Sequence, residues 1–441
     1  MMKKSMVYLV VFAVGFILPA FGVTGAEEVE RLAAPVGPIP EEVGGAAGPV
    51  VEEAETLFFP KANFDGNGFG DLAVGAPRED VSGEAMAGAV SAYYWTSGTT
   101  APAAGDYWEQ SDTGASASES DDMFGLALAV GDFNGDGVFD LAIGVPEEDW
   151  QGPVDAGIIQ IFYGVSGTGL SLAGGQLWHQ DSAGVNGALE SGDMFGFSLA
   201  AGDFNGDGYD DLAIGVPLED AGATNSGAVN ILYGTSGGIS ATDDQLFTQS
   251  TFGLTEGGDE FFGEALAAGD FNGDGYDDLA VGAPGDEVFF EDRAGSVFVA
   301  LGSSNRLTVA ASGYWWHQDS TGVAGASEAF DGFGSALAAG DFDDDGFDDL
   351  VVGVPYEDLG NPVVANSGAV HVLYGSSGGT TATGETFLYQ GFGNTSNGFE
   401  EDDQFGSSLA VGDFTGDGFD DLVVGVSDED WNTIVDTGMI H

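Results

Sequence analysis

The sequence predicts an all-β protein, a β-propeller of repeated four-stranded antiparallel blades. An acidic nonapeptide recurs six times, with starts 67 to 72 residues apart, at Asn63, Asp132, Asp203, Asp270, Asp341 and Asp413. Short apolar or alternating segments flank each copy, and no segment combines a 3.6-residue period with helix-capping signals. Radial repetition of such units leaves only short, protected strand edges, as in propellers. A β-solenoid is the alternative, although its repeats are usually shorter.

Two segments precede the repeats. Residues 1–26 are predicted to be a signal peptide, because two lysines precede the apolar run Met6–Phe21 and Thr24–Ala26 offers a small-residue cleavage site. A membrane anchor is the alternative, since about 16 apolar residues are nearly enough to span a bilayer, but no basic stop-transfer cluster follows. Residues 27–55 are rich in Pro, Gly, Ala and Glu and predict a poorly ordered linker. The repeats are expected to fill residues 56–441.

Each full repeat predicts four strands around its acidic loop. In the third repeat, residues 195–202 lead into the loop as a first strand, and residues 212–217 leave it as a short apolar second strand closed by Pro. Residues 227–234 alternate and predict a third strand, and residues 245–249 predict a fourth. Glycine, at 75 of the 441 residues, suits the many tight turns that such short strands require.

The nonapeptide has the composition of a loop that wraps a hard divalent cation. Positions one, three, five and nine carry oxygen-bearing side chains, and positions four and six are mostly glycine. Calcium takes six to eight oxygens at about 2.3–2.6 Å, and glycine lets the backbone turn tightly enough to aim them inward. An EF-hand is excluded, because it needs Glu at position twelve, where the third loop has Ile214. A bare Asn-Gly or Asp-Gly turn is the alternative, but it does not require repeated carboxylates.

The segments beside the loops resemble the FG-GAP repeat of integrin alpha-subunit propellers, which related secreted proteins also carry. Phe-Gly before the loop is paired with Gly-Ala-Pro or Gly-Val-Pro after it in four repeats: Phe124-Gly125 with 144–146, Phe195-Gly196 with 215–217, Phe262-Gly263 with 282–284, and Phe333-Gly334 with 353–355. The first repeat lacks Phe-Gly, so Leu57 to Ala62 is expected to serve as its strand. The last has Ser427 in place of Pro and stops as its third strand begins, an incomplete blade.

Integrin propellers have seven blades, whereas six repeats are visible here. The resemblance leaves two alternatives open: the first and last partial repeats combine into one blade, or the chain is a piece of something longer. Ring closure with six or seven blades is therefore undecided by the sequence.

The resemblance implies a calcium ion in each loop, bound by the side chains of positions one, three, five and nine and, in loops two to six, by the backbone carbonyl of position seven. The predicted ligands are Asn63, Asp65, Asn67 and Asp71; Asp132, Asn134, Asp136, Val138 and Asp140; Asp203, Asn205, Asp207, Tyr209 and Asp211; Asp270, Asn272, Asp274, Tyr276 and Asp278; Asp341, Asp343, Asp345, Phe347 and Asp349; and Asp413, Thr415, Asp417, Phe419 and Asp421. We expect the terminal sites to be weakest, because the first has two carboxylates and the last has a hydroxyl at position three.

The chain is extremely acidic, with 73 acidic and 7 basic residues and a net charge of −66. This charge excludes nucleic acid as a direct partner and argues against anionic membrane surfaces. The chain has no cysteine, so disulfides cannot staple it and metal ions are the obvious substitute. Six calcium ions would neutralise only a small part of the charge. A saline or calcium-rich medium, which screens self-repulsion, is our hypothesis for the remainder.

Alternating strand direction puts the calcium loops and the third-to-fourth-strand loops on one face. The opposite face carries acidic pairs that follow the Gly-x-Pro motif: Glu79-Asp80, Glu148-Asp149, Glu219-Asp220, Asp286-Glu287, Glu357-Asp358 and Glu429-Asp430. In integrin-like propellers the face away from the calcium loops binds ligand. The resemblance thus implies an extracellular protein or glycan partner that is basic or cation-bridged, and a solvated, salt-adapted surface is the alternative.

No catalytic site is predicted. The chain lacks a cysteine nucleophile and a phosphate loop with its lysine. His179 and His317 occupy a register that other repeats fill with Glu109 or Thr248, so we expect both on the outward face of a fourth strand. The leading hypothesis is a secreted or cell-surface, calcium-binding, non-catalytic adhesion or recognition module. The alternatives are the propeller portion of a larger secreted hydrolase and a structural surface-layer component.

Overall fold

The computed structural model describes residues 62–97, 102–114, 116–309, 314–360, 363–391, 400–427 and 439–440. Within these ranges the strands form six antiparallel sheets, four with four strands and the first and last with three. The helical segments found there are two short 3₁₀ turns, Gln110–Thr113 and Gln249–Phe252. The predicted all-β propeller is therefore confirmed, and each sheet is one blade. The predicted signal peptide, linker and first strand from Leu57 lie outside the described residues, except for Ala62.

The strands follow one another in chain order. The first blade comprises β1 Leu72–Ala76, β2 Ala89–Tyr94 and β3 Ala104–Glu109, and the second comprises β4 Leu128–Gly131, β5 Asp140–Val145, β6 Ile158–Val165 and β7 Gly169–Trp178. The third comprises β8 Leu199–Gly202, β9 Asp211–Val216, β10 Ala228–Tyr233 and β11 Ser240–Phe247. The fourth comprises β12 Leu266–Gly269, β13 Asp278–Ala283, β14 Ser296–Ala300 and β15 Tyr314–Trp316. The fifth comprises β16 Ala336–Gly340, β17 Asp349–Val354, β18 Ala369–Tyr374 and β19 Thr381–Leu388, and the last comprises β20 Phe405–Gly412, β21 Asp421–Val426 and β22 Met439–Ile440.

Each blade is a simple meander in which consecutive strands pair. The acidic nonapeptide closes the hairpin between the first two strands, because Gly202 pairs with Asp211 in the third blade. The same pairing joins Gly131 to Asp140, Gly269 to Asp278, Gly340 to Asp349 and Gly412 to Asp421. Five of the six predicted loops thus lie at the same position in their blades, and the first precedes β1.

The hydrophobic core lies between neighbouring blades. The first strands of successive blades contact one another in the order β4, β8, β12, β16 and β20. Every residue of β5, β9, β13 and β17 is buried, since these second strands are covered on both sides. The Phe of each Phe-Gly motif is buried as well.

The motif glycines meet across the junction between blades. A Cβ atom added to Gly144 would overlap the carbonyl oxygen of Gly196 in the next blade. The same overlap is found between Gly215 and Gly263, so neither partner tolerates a side chain. The pairing of Phe-Gly with Gly-x-Pro in the sequence therefore reflects a close backbone contact between adjacent blades.

The predicted fourth strand is displaced in the structure. Residues 245–249 were expected to form it, but β11 begins at Ser240 and ends at Phe247. Gln249 instead begins a 3₁₀ turn, because the side chains of Thr248 and Thr251 each accept the other's backbone N–H. This strand lies at the blade edge and contains Thr-Asp-Asp, so it lacks the apolar pattern by which strands are found. The predicted first strand is likewise shorter, since Gly196 has a φ of 91° and β8 begins only at Leu199.

Candidate metal centres

The ninth position of each loop is the most buried of the predicted ligands. Asp140, Asp211 and Asp278 are fully buried as the first residues of their strands. Asp140 accepts a hydrogen bond from Gly164 N–H at 2.8 Å, near the end of β6. Equivalent bonds join Gly234 to Asp211, Gly302 to Asp278 and Gly375 to Asp349 at 2.7–2.8 Å. The ninth carboxylate therefore ties the loop to the third strand of its blade.

The third position faces the ninth. The amide nitrogen of Asn205 lies 3.1–3.3 Å from the two carboxylate oxygens of Asp211. The amides of Asn134 and Asn272 lie equally close to Asp140 and Asp278. Because the oxygen and nitrogen of an amide exchange on a half-turn, each asparagine can present its oxygen to a cation between the two side chains.

The first and fifth positions shape the loop backbone. In the third loop, Asp203 accepts hydrogen bonds from the N–H groups of Gly206, Asp207 and Gly208 at 2.8–3.1 Å. Asp207 accepts one from Tyr209 at 3.1 Å. In the fifth loop, the carboxylates of Asp341, Asp343 and Asp345 each offer an oxygen within 4.8 Å of the others. In the fifth loop, positions one, three and five thus converge, as ligands of one cation would.

The chemistry of the donors fits calcium. Every predicted side-chain ligand offers oxygen, which is what this hard cation prefers, and no predicted side-chain ligand is a thiol or imidazole. Burial, with added repulsion from Asp203 and Asp207, raises the pKa of Asp211 to about 8. Burial raises the pKa of Asp140 and Asp278 to about 8 and that of Asp71 and Asp349 to about 6. A bound cation would supply positive charge beside these buried acids.

The two terminal loops differ from the rest. In the first loop, the amide of Asn67 donates to Asp65 at 2.8 Å and to the carbonyl of Trp95 at 2.7 Å, so the fifth position is engaged by protein groups. In the last loop, Asp421 is only half-buried and accepts the N–H of Thr415 at 2.9 Å. The expectation that the terminal sites are the weakest stays a prediction. The ligand set itself stays a prediction, as do the carbonyl ligands at position seven.

A contact between successive loops was missed by the sequence reasoning. The side chain of Asp210, at position eight, accepts the N–H of Asp132 in the preceding loop at 2.7 Å, and Asp210 N–H donates to the Asp132 carbonyl at 3.2 Å. Asp277, Asp348 and Asp420 bond in the same way to Asp203, Asp270 and Asp341. The Asp-Asp doublet that ends loops three to six was the available signal. The loops therefore form a connected row.

Aromatic side chains reinforce this row. A Cβ atom on Gly135 would lie 2.6 Å from the ring of Tyr209, the seventh residue of the next loop. Tyr276 and Phe347 cover Gly206 and Gly273 in the same manner. The glycine at position four is thus required by its neighbour as well as by the turn.

The acidic pairs on the opposite face are not simply solvated. Glu148, Asp286 and Glu357 are only 4%, 5% and 6% exposed. The second acid of the pair is held locally, as Asp220 accepts the N–H of Asn225 at 2.8 Å. One acid of these pairs therefore belongs to the interior of a blade junction.

The expectation that both histidines face outward is wrong for His317, which is 5% exposed. Its ring contacts Trp315 and Phe289, and burial lowers its pKa. His179 is half-buried beside Trp150. The alternation with Glu109 and Thr248 misled the prediction, because this register lies just beyond the strand end, where a loop folds over it.

The comparison with solved structures gives only weak similarity. Rhamnogalacturonan lyase YesW is similar over 74% of this chain and 61% of that protein, with 13% identity and a TM-score of 0.35. A similarity at this level carries no argument about function. In the part of the chain that the structure describes, no helix has the length and apolar character needed to cross a membrane.

The curated relatives include integrin alpha subunits. Integrin alpha-5 of Xenopus laevis is 32% identical over 242 residues, covering 52% of this chain and 20% of the relative. Integrin alpha-V of Gallus gallus is 32% identical over 251 residues, covering 54% and 21%. Integrin alpha-PS5 of Drosophila melanogaster is 33% identical over 175 residues, covering 39% and 16%. The similarity thus spans about a fifth of these relatives' length.

The FG-GAP repeat family matches all six units found in the sequence. The matched residues are 61–93, 124–162, 195–232, 262–299, 333–373 and 405–441. Each match contains an acidic loop, and in the second to sixth repeats this loop closes the first hairpin of its blade. By its sequence repeats and by its blades, this chain belongs to the FG-GAP repeat family.

Proposed function

We propose that this chain is a secreted, calcium-stabilised propeller that serves as a non-catalytic adhesion or recognition module. The observation that carries the calcium role is the buried ninth-position carboxylate, repeated in five loops and surrounded by further acids. The integrin alpha relatives support the recognition role, and the predicted signal peptide supports an extracellular or cell-surface location.

Calcium would hold the first hairpin of each blade closed. Without a cation, three or four carboxylates repel one another in the loop that joins β8 to β9 and in its counterparts in the other blades. The unfolded chain has no preformed site, so binding stabilises the folded state by mass action. A single site with calcium at a hundred times its Kd adds about 2.7 kcal/mol to the free energy of unfolding.

The recognition surface is proposed on the face away from the loops. The turn between β13 and β14 exposes Phe289 and Phe290, which are 62% and 92% exposed and have φ values of 52° and 82°. Acids flank this turn on both sides at Glu287 and Glu291. An apolar tip with an acidic rim suits an extracellular protein or glycan that is basic or bridged by a cation, and the net charge argues against nucleic acid.

Two aromatic residues at such a turn are costly for the fold. Non-glycine residues seldom adopt positive φ, and bulky ones least. The first blade makes the same turn, bridged from Val81 to Glu84, with Ser82 and Gly83 at its tip. The comparison shows what an ordinary version of this turn contains, and supports selection of the phenylalanines for contact with a partner.

Binding screens test the recognition role. Purified full-length chain, loaded with calcium, is applied to glycan arrays and to cell surfaces, with a chelator as one arm. The matched variant Phe289→Ser/Phe290→Gly copies the turn of the first blade. We expect binding that falls at least tenfold in the variant. Binding that is unchanged by this double substitution removes the turn from the proposal. If the chain binds neither to the glycan arrays nor to cell surfaces, the recognition role is contradicted.

A further inference from the structure

A buried glutamine follows the last strand of every blade that the structure describes up to the fifth. These residues are Gln110, Gln180, Gln249, Gln318 and Gln390, each at most 1% exposed. Their spacing of 69 to 72 residues follows the repeat. The sequence reasoning passed over them because it attended to the histidine register one residue earlier.

Three of these glutamine amides donate to an acid of the next blade. Gln318 donates through Nε2 to Glu357 at 2.5 Å, and Gln180 donates to Glu219 at 2.5 Å. Gln110 donates to Glu148 and to Ser116. In all three, the acid is the second residue after the Pro of the Gly-x-Pro motif. The amide therefore bridges the junction between two blades.

A second acid enters each junction from the connection between blades. Asp331 is 2% exposed, and its backbone carbonyl accepts the N–H of Tyr356, the residue before Glu357, at 3.4 Å. One carboxylate oxygen of Asp331 accepts the N–H of Glu328 at 2.7 Å. Asp122 and Asp193 hold the same position and make the same bond. Two acids and one amide thus occupy each junction.

The two acids of a junction are always one Asp and one Glu, and at one junction their positions are swapped. Three junctions pair a shorter Asp from the connection with a longer Glu after the motif: Asp122 with Glu148, Asp193 with Glu219, and Asp331 with Glu357. The remaining one pairs Glu260 with Asp286, which reverses the two lengths. The backbones are again joined, since Gly285 N–H donates to the Glu260 carbonyl at 3.1 Å. This compensation indicates that the two carboxylates share one space of constant size.

Buried oxygens in these junctions lack partners. Oε1 of Gln110, Gln180 and Gln318 is inaccessible to solvent and accepts no hydrogen bond, and neither does Oε2 of Glu260. Because each amide nitrogen is bonded to a glutamate, the oxygen on the same carbon is close to that acid, and a half-turn of the amide brings the oxygen to face it. A buried acceptor without a partner destabilises the fold, because its hydrogen bond to water is lost and not replaced. Such oxygens point to a positive group that completes the site.

Among the described residues, no positively charged side chain acts on these acids. The charges that act on Asp331 and Glu357 come from other acids, and the same holds at the other three described junctions. Two buried carboxylates without a counter-charge are expensive. A proton or a cation must compensate them, and a proton leaves the glutamine oxygen unsatisfied in the observed amide orientation.

We propose that the three junctions with Gln110, Gln180 and Gln318 each bind a hard divalent cation, calcium by preference, between the connection acid, the acid after the motif and the amide oxygen of the glutamine. The junction with Gln249 is not included, because Nε2 rather than Oε1 is the atom without a partner there. These sites are additional to the six loops and lie on the opposite face. A cation there joins two neighbouring blades, whereas a loop cation closes a hairpin within one blade. The fifth junction, with Gln390 and Asp403, takes its third member from outside the described residues.

Calcium stoichiometry of the full chain tests the proposal. Bound calcium is counted by equilibrium dialysis and native mass spectrometry in the wild type and in Asp331→Asn/Glu357→Gln. We expect the double variant to bind one calcium ion fewer per chain. The matched control is Glu328→Gln, which removes an exposed charge from the same connection and keeps the count. An unchanged count in the folded double variant overturns the proposal.

A single substitution covers the case in which the double variant does not fold. Gln318→Glu adds a third carboxylate to the junction. With a cation present, this variant binds calcium more tightly, so calcium raises its Tm by more than it raises that of the wild type. If the junction holds only protons, the added acid lowers the Tm equally with and without calcium, which contradicts the proposal.

Discussion

The two faces of the propeller both carry one acidic cluster per blade, yet they hold it differently. In the third loop, Asp207 is exposed, Asp203 is half-buried and only Asp211 is fully buried. At the junction of the fourth and fifth blades, Gln318, Asp331 and Glu357 are all buried and come from both sides of the junction. The loop is a surface hairpin anchored by one interior acid, whereas the junction is an interior cluster.

This difference separates local from long-range stabilisation. A loop cation neutralises residues that lie within nine positions of one another, so it mainly reinforces one hairpin. A junction cation would connect groups 39 residues apart, as in the bond between Gln318 and Glu357. The position-eight aspartates are intermediate, because they link loops of adjacent blades at the surface. Cohesion between blades therefore has sources on both faces.

The largest expected effect comes from the buried anchor of a loop. Asp211→Ala removes the acceptor of Gly234 N–H and a predicted calcium ligand, so we expect a loss of about 3 kcal/mol in the free energy of unfolding. Asp207→Ala, on the exposed side of the same loop, should cost about 1 kcal/mol. Urea unfolding in calcium measures both. Equal losses would mean that burial does not distinguish the two positions.

Cutting the link between loops should have a smaller effect. Asp210→Ala leaves Asp132 N–H without its acceptor and is expected to cost about 1–2 kcal/mol. Asp210→Asn keeps an acceptor oxygen and serves as the control. Calcium titrations followed by circular dichroism should become less cooperative in the alanine variant only. Unchanged cooperativity would show that the loops bind independently.

The pH dependence of the calcium-free protein concerns both faces. Burial raises the pKa of Asp211 on the loop face and of Asp331 at a junction to about 8, from an ordinary value of 3.8. The folded protein holds these protons more tightly than the unfolded chain, so this stabilisation is complete below about pH 4 and is lost as the pH rises through about 8. Calcium should therefore raise the Tm more at pH 8 than at pH 5.

Thermal melts in 1 M NaCl check this, because a Debye length of about 3 Å screens the repulsion of distant surface charges. Asp331→Asn should flatten the pH dependence of the calcium-free protein. A higher Tm of the calcium-free protein at pH 8 than at pH 5 would contradict the predicted loss of stability with rising pH.

The smallest effect is expected at the exposed aromatic turn. Phe289→Ser/Phe290→Gly relieves a bulky residue at positive φ and should stabilise the fold by roughly 1 kcal/mol. Differential scanning calorimetry measures the change. A decrease in stability would show that the two rings support the fold, through contacts such as that of Phe289 with His317.

The sequence was informative wherever a residue type repeats in register with an obvious chemistry. The loop acids, the Phe-Gly motif and the short apolar strands were found for this reason. The glutamine at the position of Gln318 also recurs in every repeat up to the fifth, but an amide side chain is neither charged nor nucleophilic. Its role becomes visible only when the structure places Glu357 of the next blade beside it. The edge strand β11 was misplaced because its polar, half-exposed residues carry no apolar period.

The measurement that tests the calcium claim most directly is a thermal melt of the full chain with saturating calcium and with excess chelator. If the acidic loops hold calcium, the Tm should fall by at least 10 °C on chelation and recover when calcium is restored. Several sites then contribute about 2–3 kcal/mol each to the free energy of unfolding. An unchanged melt in excess chelator would contradict the claim, because the buried ninth-position acids would then be compensated by protons alone.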